Sequence, residues 1–241
     1  MHTLHILVLP LAIFLLTVVP TPASQFKLLK TFAANGVEGK SPSGNGTIIG
    51  GKLYGFTTSS GAGGMGTLYR VNLDGTQFEK LRDFAASEGS PTSLVGASDK
   101  ILISLVRDRP GDEDDDDRDC TLYSYGIGSS TLSPIASINK IYGPVKLCFV
   151  EGDYAYGVAD GSVRRWSLAG GEHQLLYSFD FDNFSGQQGG SDARDLINGG
   201  GNVIYGLNIA GGNSTVGTIF KVNKDGTGYQ DLHSFGGLGT W

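Results

Sequence analysis

The sequence is poor in charged residues, methionine and cysteine, and it has no apolar run long enough for a comfortable membrane span. Charged residues make up 17% of the 241-residue chain, against about 25% in typical domains, and Met and Cys occur twice each. Glycine is abundant instead, with 38 residues, and each glycine inside a helix costs about 1 kcal/mol relative to Ala. This composition disfavours a helical bundle, and the 39% apolar content disfavours wholesale disorder. We therefore expect an all-β chain with many turns built on glycine.

The most apolar stretch lies near the start of the sequence, at residues 6–19. It is shorter than the roughly 20 residues of a membrane-spanning helix, and the small residues before Ser24 suit signal-peptide cleavage after Ala23. We predict a signal peptide at residues 1–23, a single secreted domain at residues 24–241, and no membrane insertion after cleavage. An uncleaved anchor is the alternative.

One loop carries the whole formal net charge of −6. The segment from residue 112 to residue 119 has a single base, Arg118, so the rest of the chain is neutral and has no basic patch for nucleic acids or anionic membranes. Clustered carboxylates could bind Ca²⁺, although the spacing of an EF-hand is absent, and a solvated surface loop is the alternative. The possible calcium ligands, and the only cofactor site that we predict, are Asp112, Glu113, Asp114, Asp115, Asp116, Asp117 and Asp119.

The two cysteines leave two interpretations open. An even number of cysteines behind an export signal permits a disulfide bond between Cys120 and Cys148. The alternative is two unpaired thiols on different strands, because spacing along the chain does not show whether the Cβ atoms meet.

An internal repeat is the strongest signal in the sequence. Residues 52–84 align without a gap to residues 203–235 at a constant offset of 151, with 12 identical positions in 33. The offset corresponds to three periods of about 50 residues, and degraded copies start near residues 100 and 152. In the first copy we predict strands at residues 47–49, 52–57, 66–72 and 78–84, with turns at Gly50-Gly51 and Asp74-Gly75.

Four short strands in each repeat are typical of a β-propeller blade. We therefore predict a β-propeller-like fold of four four-stranded blades. A fifth segment, residues 26–32, resembles the fourth strand of a copy that lacks its first three strands. This orphan N-terminal strand favours an open or incomplete five-bladed ring as one alternative, and a β-solenoid is the other. Unpaired strand edges also favour self-association.

Three segments resemble a known family. They are Leu53-Tyr54-Gly55-x-Thr57-Thr58, the stretch at residues 66–71, and the stretch at residues 225–235. They are similar to the GloVer-type tandem repeat of secreted and surface proteins, and the likeness covers most of the mature chain. The resemblance implies an exported, propeller-like repeat protein and transfers no catalytic residue.

Other candidate sites carry weaker signals. The carboxylate pair Asp153 and Asp160 could in principle serve a glycosidase, and the segments at residues 72–75 and 223–226 resemble fragments of a calcium loop. Surface positions and turn chemistry are the alternatives. Sequons place possible glycosylation in connecting loops, at Asn45, Asn183 and Asn213.

These observations together favour a secreted, non-catalytic binding or surface and matrix interaction module. Its partner would be an extracellular protein or glycan. A polysaccharide-acting propeller hydrolase or lyase is the enzyme alternative, although we predict no catalytic residue. The third hypothesis is a structural subunit that assembles through open blade edges.

Overall fold

The part of the chain that the structure describes folds into sixteen β-strands without a helix. The structure is a computed structural model, and it describes residues 26–108, 118–141, 145–171, 173–179, 190–212, 214 and 216–236. The all-β prediction is therefore confirmed. The predicted signal peptide lies outside the described residues.

The strands form four antiparallel sheets of four, and in each sheet neighbouring strands are consecutive in the chain. We call these sheets blades 1 to 4. Blade 1 contains β1 (Lys40–Ile49), β2 (Lys52–Ser59), β3 (Thr67–Asn72) and β4 (Glu79–Asp83), and blade 2 contains β5 (Ser90–Ala97), β6 (Lys100–Asp108), β7 (Arg118–Gly126) and β8 (Leu132–Ile141). Blade 3 contains β9 (Lys146–Glu151), β10 (Tyr154–Ala159), β11 (Ser162–Ser167) and β12 (His173–Tyr177), and blade 4 contains β13 (Gly190–Asn198), β14 (Val203–Gly211), β15 (Thr218–Asn223) and β16 (Gln230–Ser234).

The blades pack face to face around their first strands. The first strands β1, β5, β9 and β13 lie beside one another in succession. Because side chains alternate between the two faces of a strand, a middle blade supplies apolar side chains to both neighbours. In blade 2, Ile101 and Ile103 belong to the core shared with blade 1, whereas Leu102 belongs to the core shared with blade 3. Three such cores, one at each junction, make the fold propeller-like.

The ring is open between blade 4 and blade 1. In the described part of the chain, β13 and β1 do not lie against each other as the other consecutive first strands do. The described residues therefore contain the four predicted blades, arranged as an open ring.

Two strand predictions for the start of the chain were wrong. The first strand begins at Lys40 instead of residue 47, because a register shift between Ser43 and Thr47 lets the ladder with β2 continue past the expected end. Residues 26–32 form no strand, since no described strand pairs with them. They pack against blade 1 through Phe32, whose ring centroid lies 5.1 Å from that of Tyr69.

Gly66, in the loop between β2 and β3 of blade 1, shows why glycine is required at this position. Its φ is +97°, and a Cβ atom there would lie 1.9 Å from the carbonyl oxygen of Thr57. Its carbonyl accepts a 3.0 Å hydrogen bond from the amide of Phe84, which ties the end of β4 to the loop. Gly217, the matched residue of blade 4, has a φ of +113° and accepts the same bond from Phe235.

We predict that Gly66→Ala lowers the free energy of unfolding by about 3 kcal/mol, because it adds a clash with the backbone to an unfavourable φ. Gly64→Ala is the matched control, since Gly64 also has a positive φ of +79° but open space around its Cβ position. The control should cost only about 1 kcal/mol. Urea unfolding followed by fluorescence measures both values, and equal losses would contradict this account of the loop.

Candidate functional site

One end of the ring carries the longer connections, and we call it the loop face. The loops between second and third strands lie there, together with the connections between blades, because the strands of each blade run alternately up and down. They include the loop at residues 60–66 within blade 1 and the connection at residues 84–89, which joins blade 1 to blade 2. The opposite end carries mostly short turns.

A polar cleft of about 230 Å³ opens at the loop face, between the connection that leaves blade 1 and the strands of blade 2. This volume is below the roughly 300–1,000 Å³ of most small-molecule pockets, so the cleft suits one chemical group of a larger ligand. Its lining combines charged groups, hydroxyl groups, one aromatic ring and two apolar side chains: Ser87, Glu88, Leu105, Arg107, Asp119, Thr121, Tyr123, Pro134 and Ser137.

Two guanidinium–carboxylate pairs shape the cleft. Glu88 contacts the Arg82 guanidinium through one carboxylate oxygen and accepts a 3.0 Å hydrogen bond from the amide of Ala85 through the other. Arg107 and Asp119 are cross-strand partners on β6 and β7, with 3.7 Å between Nη2 and Oδ2. The Arg107 side chain is 49% exposed, so its remaining N–H groups are open to solvent or to a ligand.

Hydroxyl groups complete the lining. Burial raises the pKa of Tyr123 above its ordinary value, and the nearby Glu88 carboxylate raises it further. The phenol therefore stays neutral at physiological pH and can donate or accept a hydrogen bond. The hydroxyls of Thr121 and Ser137 lie 3.0 Å apart on neighbouring strands. The cleft thus offers donors and acceptors together, as a hydroxyl-rich ligand group requires.

Sequence reasoning identified only Asp119 among these residues, as the last member of the acidic run. Glu88, Arg107 and Tyr123 lie on three different elements, and their spacing in the chain follows no motif. The cross-strand register of β6 and β7 brings Arg107 to Asp119, and this register was not predicted.

The predicted calcium ligands lie mostly outside the described residues, which omit 109–117. Asp119 is described, and its carboxylate contacts Arg107 and accepts a 3.4 Å hydrogen bond from the amide of Lys140. Within the described ranges, no three His, Cys, Asp or Glu side chains form a group suited to a metal ion. The calcium site stays a prediction.

Turn chemistry accounts for the two segments that resemble calcium loops. Asp74 Oδ1 accepts hydrogen bonds of 2.9 Å from the Thr76 amide and 2.6 Å from the Thr76 hydroxyl. Asp225 makes the same pair of bonds to Thr227, at 2.9 and 2.7 Å. These hydrogen bonds lower the pKa of both aspartates, and each side chain closes its own turn.

The other candidate carboxylates do not converge. Asp153 and Asp160 flank β10 at its two ends, so the strand separates them by about 20 Å. The sequence had placed Asn45 in a connecting loop, but in the structure Asn45 lies exposed within β1. The other two sequon asparagines, Asn183 and Asn213, lie outside the described residues, and glycosylation stays a prediction at all three positions.

Both cysteines are free thiols in the structure. Cys120 lies in the core between blades 2 and 3, whereas Cys148 packs against the core between blades 3 and 4. The structure therefore matches the interpretation with two unpaired thiols on different strands. Burial raises the pKa of each thiol to about 12.

We therefore predict that the native protein reacts very slowly with iodoacetamide at pH 8. With a pKa of about 12, only about one thiol in ten thousand is ionised at that pH, and the thiolate is the reactive form. In guanidinium chloride without reductant, both cysteines should be alkylated, as measured by mass spectrometry. A denatured chain that takes up no reagent would instead show a disulfide bond.

Comparisons with known proteins support the fold. No protein-family model and no curated protein matches the sequence. A chain in the crystal structure of a nidogen/laminin complex matches with a TM-score of 0.52 and 11% identity, over 82% of this chain and 64% of that chain. The present chain thus spans less than two thirds of that protein. The likeness shows an all-β, propeller-like architecture and confirms the predicted fold class.

Two bacterial structures were also matched with lower TM-scores. The extracellular domain of a hybrid two-component system from B. thetaiotaomicron has a TM-score of 0.49 and 11% identity, over 80% of this chain and 22% of that one. A GH43 protein from Bacillus licheniformis has a TM-score of 0.48 and 12% identity, over 80% and 41%. Among the described residues, no helix has the length and apolar character needed to cross a bilayer.

Proposed function

We propose that this chain is an extracellular, non-catalytic binding module that holds a glycan or protein ligand on its loop face. The observation that carries the proposal is the cleft at the junction of blades 1 and 2, which combines a half-exposed guanidinium, carboxylates, hydroxyls and a tyrosine. Strands β6, β7 and β8 position most of these groups, and the connection after β4 supplies Ser87 and Glu88. This arrangement suits recognition.

The chemistry of the lining favours a hydroxyl-rich group such as one sugar unit of a larger glycan. A sugar hydroxyl donates and accepts at once, which matches a site where Arg107 donates, Asp119 accepts and Tyr123 does either. A protein ligand could place a polar side chain in the same cleft. The nidogen/laminin likeness is compatible with protein binding, since that structure is a complex between proteins.

Export is part of the proposal. The apolar run at residues 6–19, the small residues before the expected cleavage site and the resemblance to GloVer-type repeats support a secreted location.

We predict that Arg107→Ala lowers affinity for the ligand about tenfold, because it removes the exposed donor of the cleft. Arg70→Ala is the matched control, since Arg70 also pairs with a carboxylate, at 2.8 Å from Glu79, but lies outside the cleft. Secreted protein would be screened against glycans and extracellular matrix proteins, and affinities then measured by calorimetry.

Equal affinities for both variants would contradict the assignment of the cleft. Shortening of a polysaccharide during the screen, detected by the release of reducing ends, would instead favour the hydrolase or lyase alternative.

A further inference from the structure

Blade 1 contains a lysine bridge at the position where blade 2 has the polar cleft. The ammonium group of Lys80, on β4, donates a 3.0 Å hydrogen bond to the carbonyl oxygen of Val37. The same nitrogen lies 2.8 Å from Oδ2 of Asp83. One cationic side chain thus ties the segment that leads into β1 to the outer strand of the blade. We call Lys80, Val37 and Asp83 the lysine bridge of blade 1.

The strand registers show which residues of blade 2 correspond to this bridge. Thr67-Leu68-Tyr69 on β3 and Thr121-Leu122-Tyr123 on β7 have the same sequence. In blade 1, the tyrosine of this segment pairs with Lys80 and the threonine pairs with Asp83.

The matching segment of blade 2 has different partners on β8. Its tyrosine pairs with Pro134, and its threonine pairs with Ser137. The ladder has a register shift between the leucine and the tyrosine in both blades, so the two sets of pairs are equivalent. Pro134 therefore stands at the position of Lys80, and Ser137 stands at the position of Asp83.

The connections that lead into the two blades also correspond. Glu38 and Glu88 each pair with a basic side chain that comes earlier in the chain. Each also accepts a hydrogen bond from the amide of an alanine, at 3.2 Å for Glu38 and 3.0 Å for Glu88. Val37 precedes the first glutamate as Ser87 precedes the second, so Ser87 stands at the position of Val37.

The three counterparts of the lysine bridge all line the cleft. They are Ser87, Pro134 and Ser137. Because proline has no amino group that could reach across, the space that the Lys80 ammonium fills in blade 1 is open in blade 2. The bridge therefore shows which kind of group this space accommodates, namely a hydrogen-bond donor that carries a positive charge.

The charges around the cleft favour a cation over an anion. Within the cleft, Arg107 and Asp119 compensate each other, and Arg82 compensates Glu88. The excess charge comes from residues 112–117, which are all acidic and precede β7 in the sequence. Such an excess raises the local concentration of cations and lowers that of anions.

We propose that the cleft binds the protonated amino group of an amino-sugar glycan in the place that the Lys80 ammonium has in blade 1. This inference rests on the proposed function of the cleft and names the class of glycan. The ammonium group donates to the Ser87 carbonyl and to the Ser137 hydroxyl, while a neighbouring sugar hydroxyl accepts from Arg107.

A sugar suits this lining better than a lysine side chain of a protein ligand. The hydroxyls of Thr121, Tyr123 and Ser137 surround the position of the ammonium group. An amino sugar carries hydroxyl groups on the ring carbons beside its amino group, so it can use these partners together. A lysine side chain carries its amino group at the end of an apolar stem.

The first test compares two sugar oligomers that differ in the charge of their amino groups. Short oligomers of glucosamine and of N-acetylglucosamine would be titrated with the purified protein by calorimetry, at a mildly acidic pH where free amino groups are protonated and carboxylates remain ionised. We expect the glucosamine oligomer to bind at least about tenfold more tightly, because acetylation removes the charge and two donor hydrogens. This comparison needs no variant.

The second test copies the lysine bridge into blade 2. Pro134→Lys combined with Ser137→Asp leaves the net charge unchanged, and the new ammonium group should fill the cleft and weaken binding of the glucosamine oligomer at least about tenfold. Ser133→Lys combined with Asn139→Asp is the matched control. It adds the same two side chains at exposed positions of β8 outside the cleft, so it should bind normally. Urea unfolding checks that both variants fold.

The outcomes separate this inference from the proposed function. No binding of the glucosamine oligomer would overturn the inference. Equal binding of both oligomers, weakened by Arg107→Ala, would overturn it and keep the cleft as a glycan site. A lysine-rich peptide that binds in place of the glucosamine oligomer, and is lost in the Pro134→Lys/Ser137→Asp variant, would overturn it in favour of a protein ligand. Equal binding of the glucosamine oligomer by the rebuilt and control variants would overturn the assignment of the cleft as well.

Discussion

The structure depends on apolar contact between the faces of successive sheets. A four-stranded sheet of this size buries too little surface to be stable alone, so each blade relies on its neighbours. Side chains alternate between the two faces of each strand, so one sheet can pack against two neighbours. Ile101 and Leu102 of β6 are adjacent in the chain and belong to two different cores. Burying one such side chain contributes roughly 1.5–3 kcal/mol. The loops, the cleft and the opening all take their positions from these contacts.

Much of this architecture could be predicted from the sequence because it is repeated. The 151-residue offset matches blade 1 to blade 4, and turn residues such as Asp74-Gly75 mark where strands reverse. The start of β1 at Lys40 could not be predicted, because polar and glycine residues fill it and pairing with β2 alone makes it a strand. Residues 26–32 have the pattern of a strand, but a strand also needs a partner, and its partner is absent from the described chain.

The cleft illustrates a different limit. Its guanidinium and carboxylate groups come from β4, from the connection after it and from β6 and β7, and no spacing in the sequence relates them. Arg107 meets Asp119 only because of the β6–β7 register. Residues that repeat, such as Tyr69 and Phe220, proved to be packing positions. In the candidate site, Thr121 and Tyr123 match Thr67 and Tyr69 of blade 1, whereas Arg107 stands where blade 1 has Ser59 and blade 4 has Ala210. A local change on a repeated scaffold is what a local function requires.

The central claim is that one repeat face is core in blade 1 and surface in blade 4. Carbene or hydroxyl-radical footprinting of the purified protein, read out by mass spectrometry, tests it within one molecule. The account predicts strong labelling of Tyr205, Leu207 and Phe235 and protection of Tyr54, Phe56 and Phe84. Equal protection of the two sets in a monomer would show that blade 4 is already covered and would contradict the open ring.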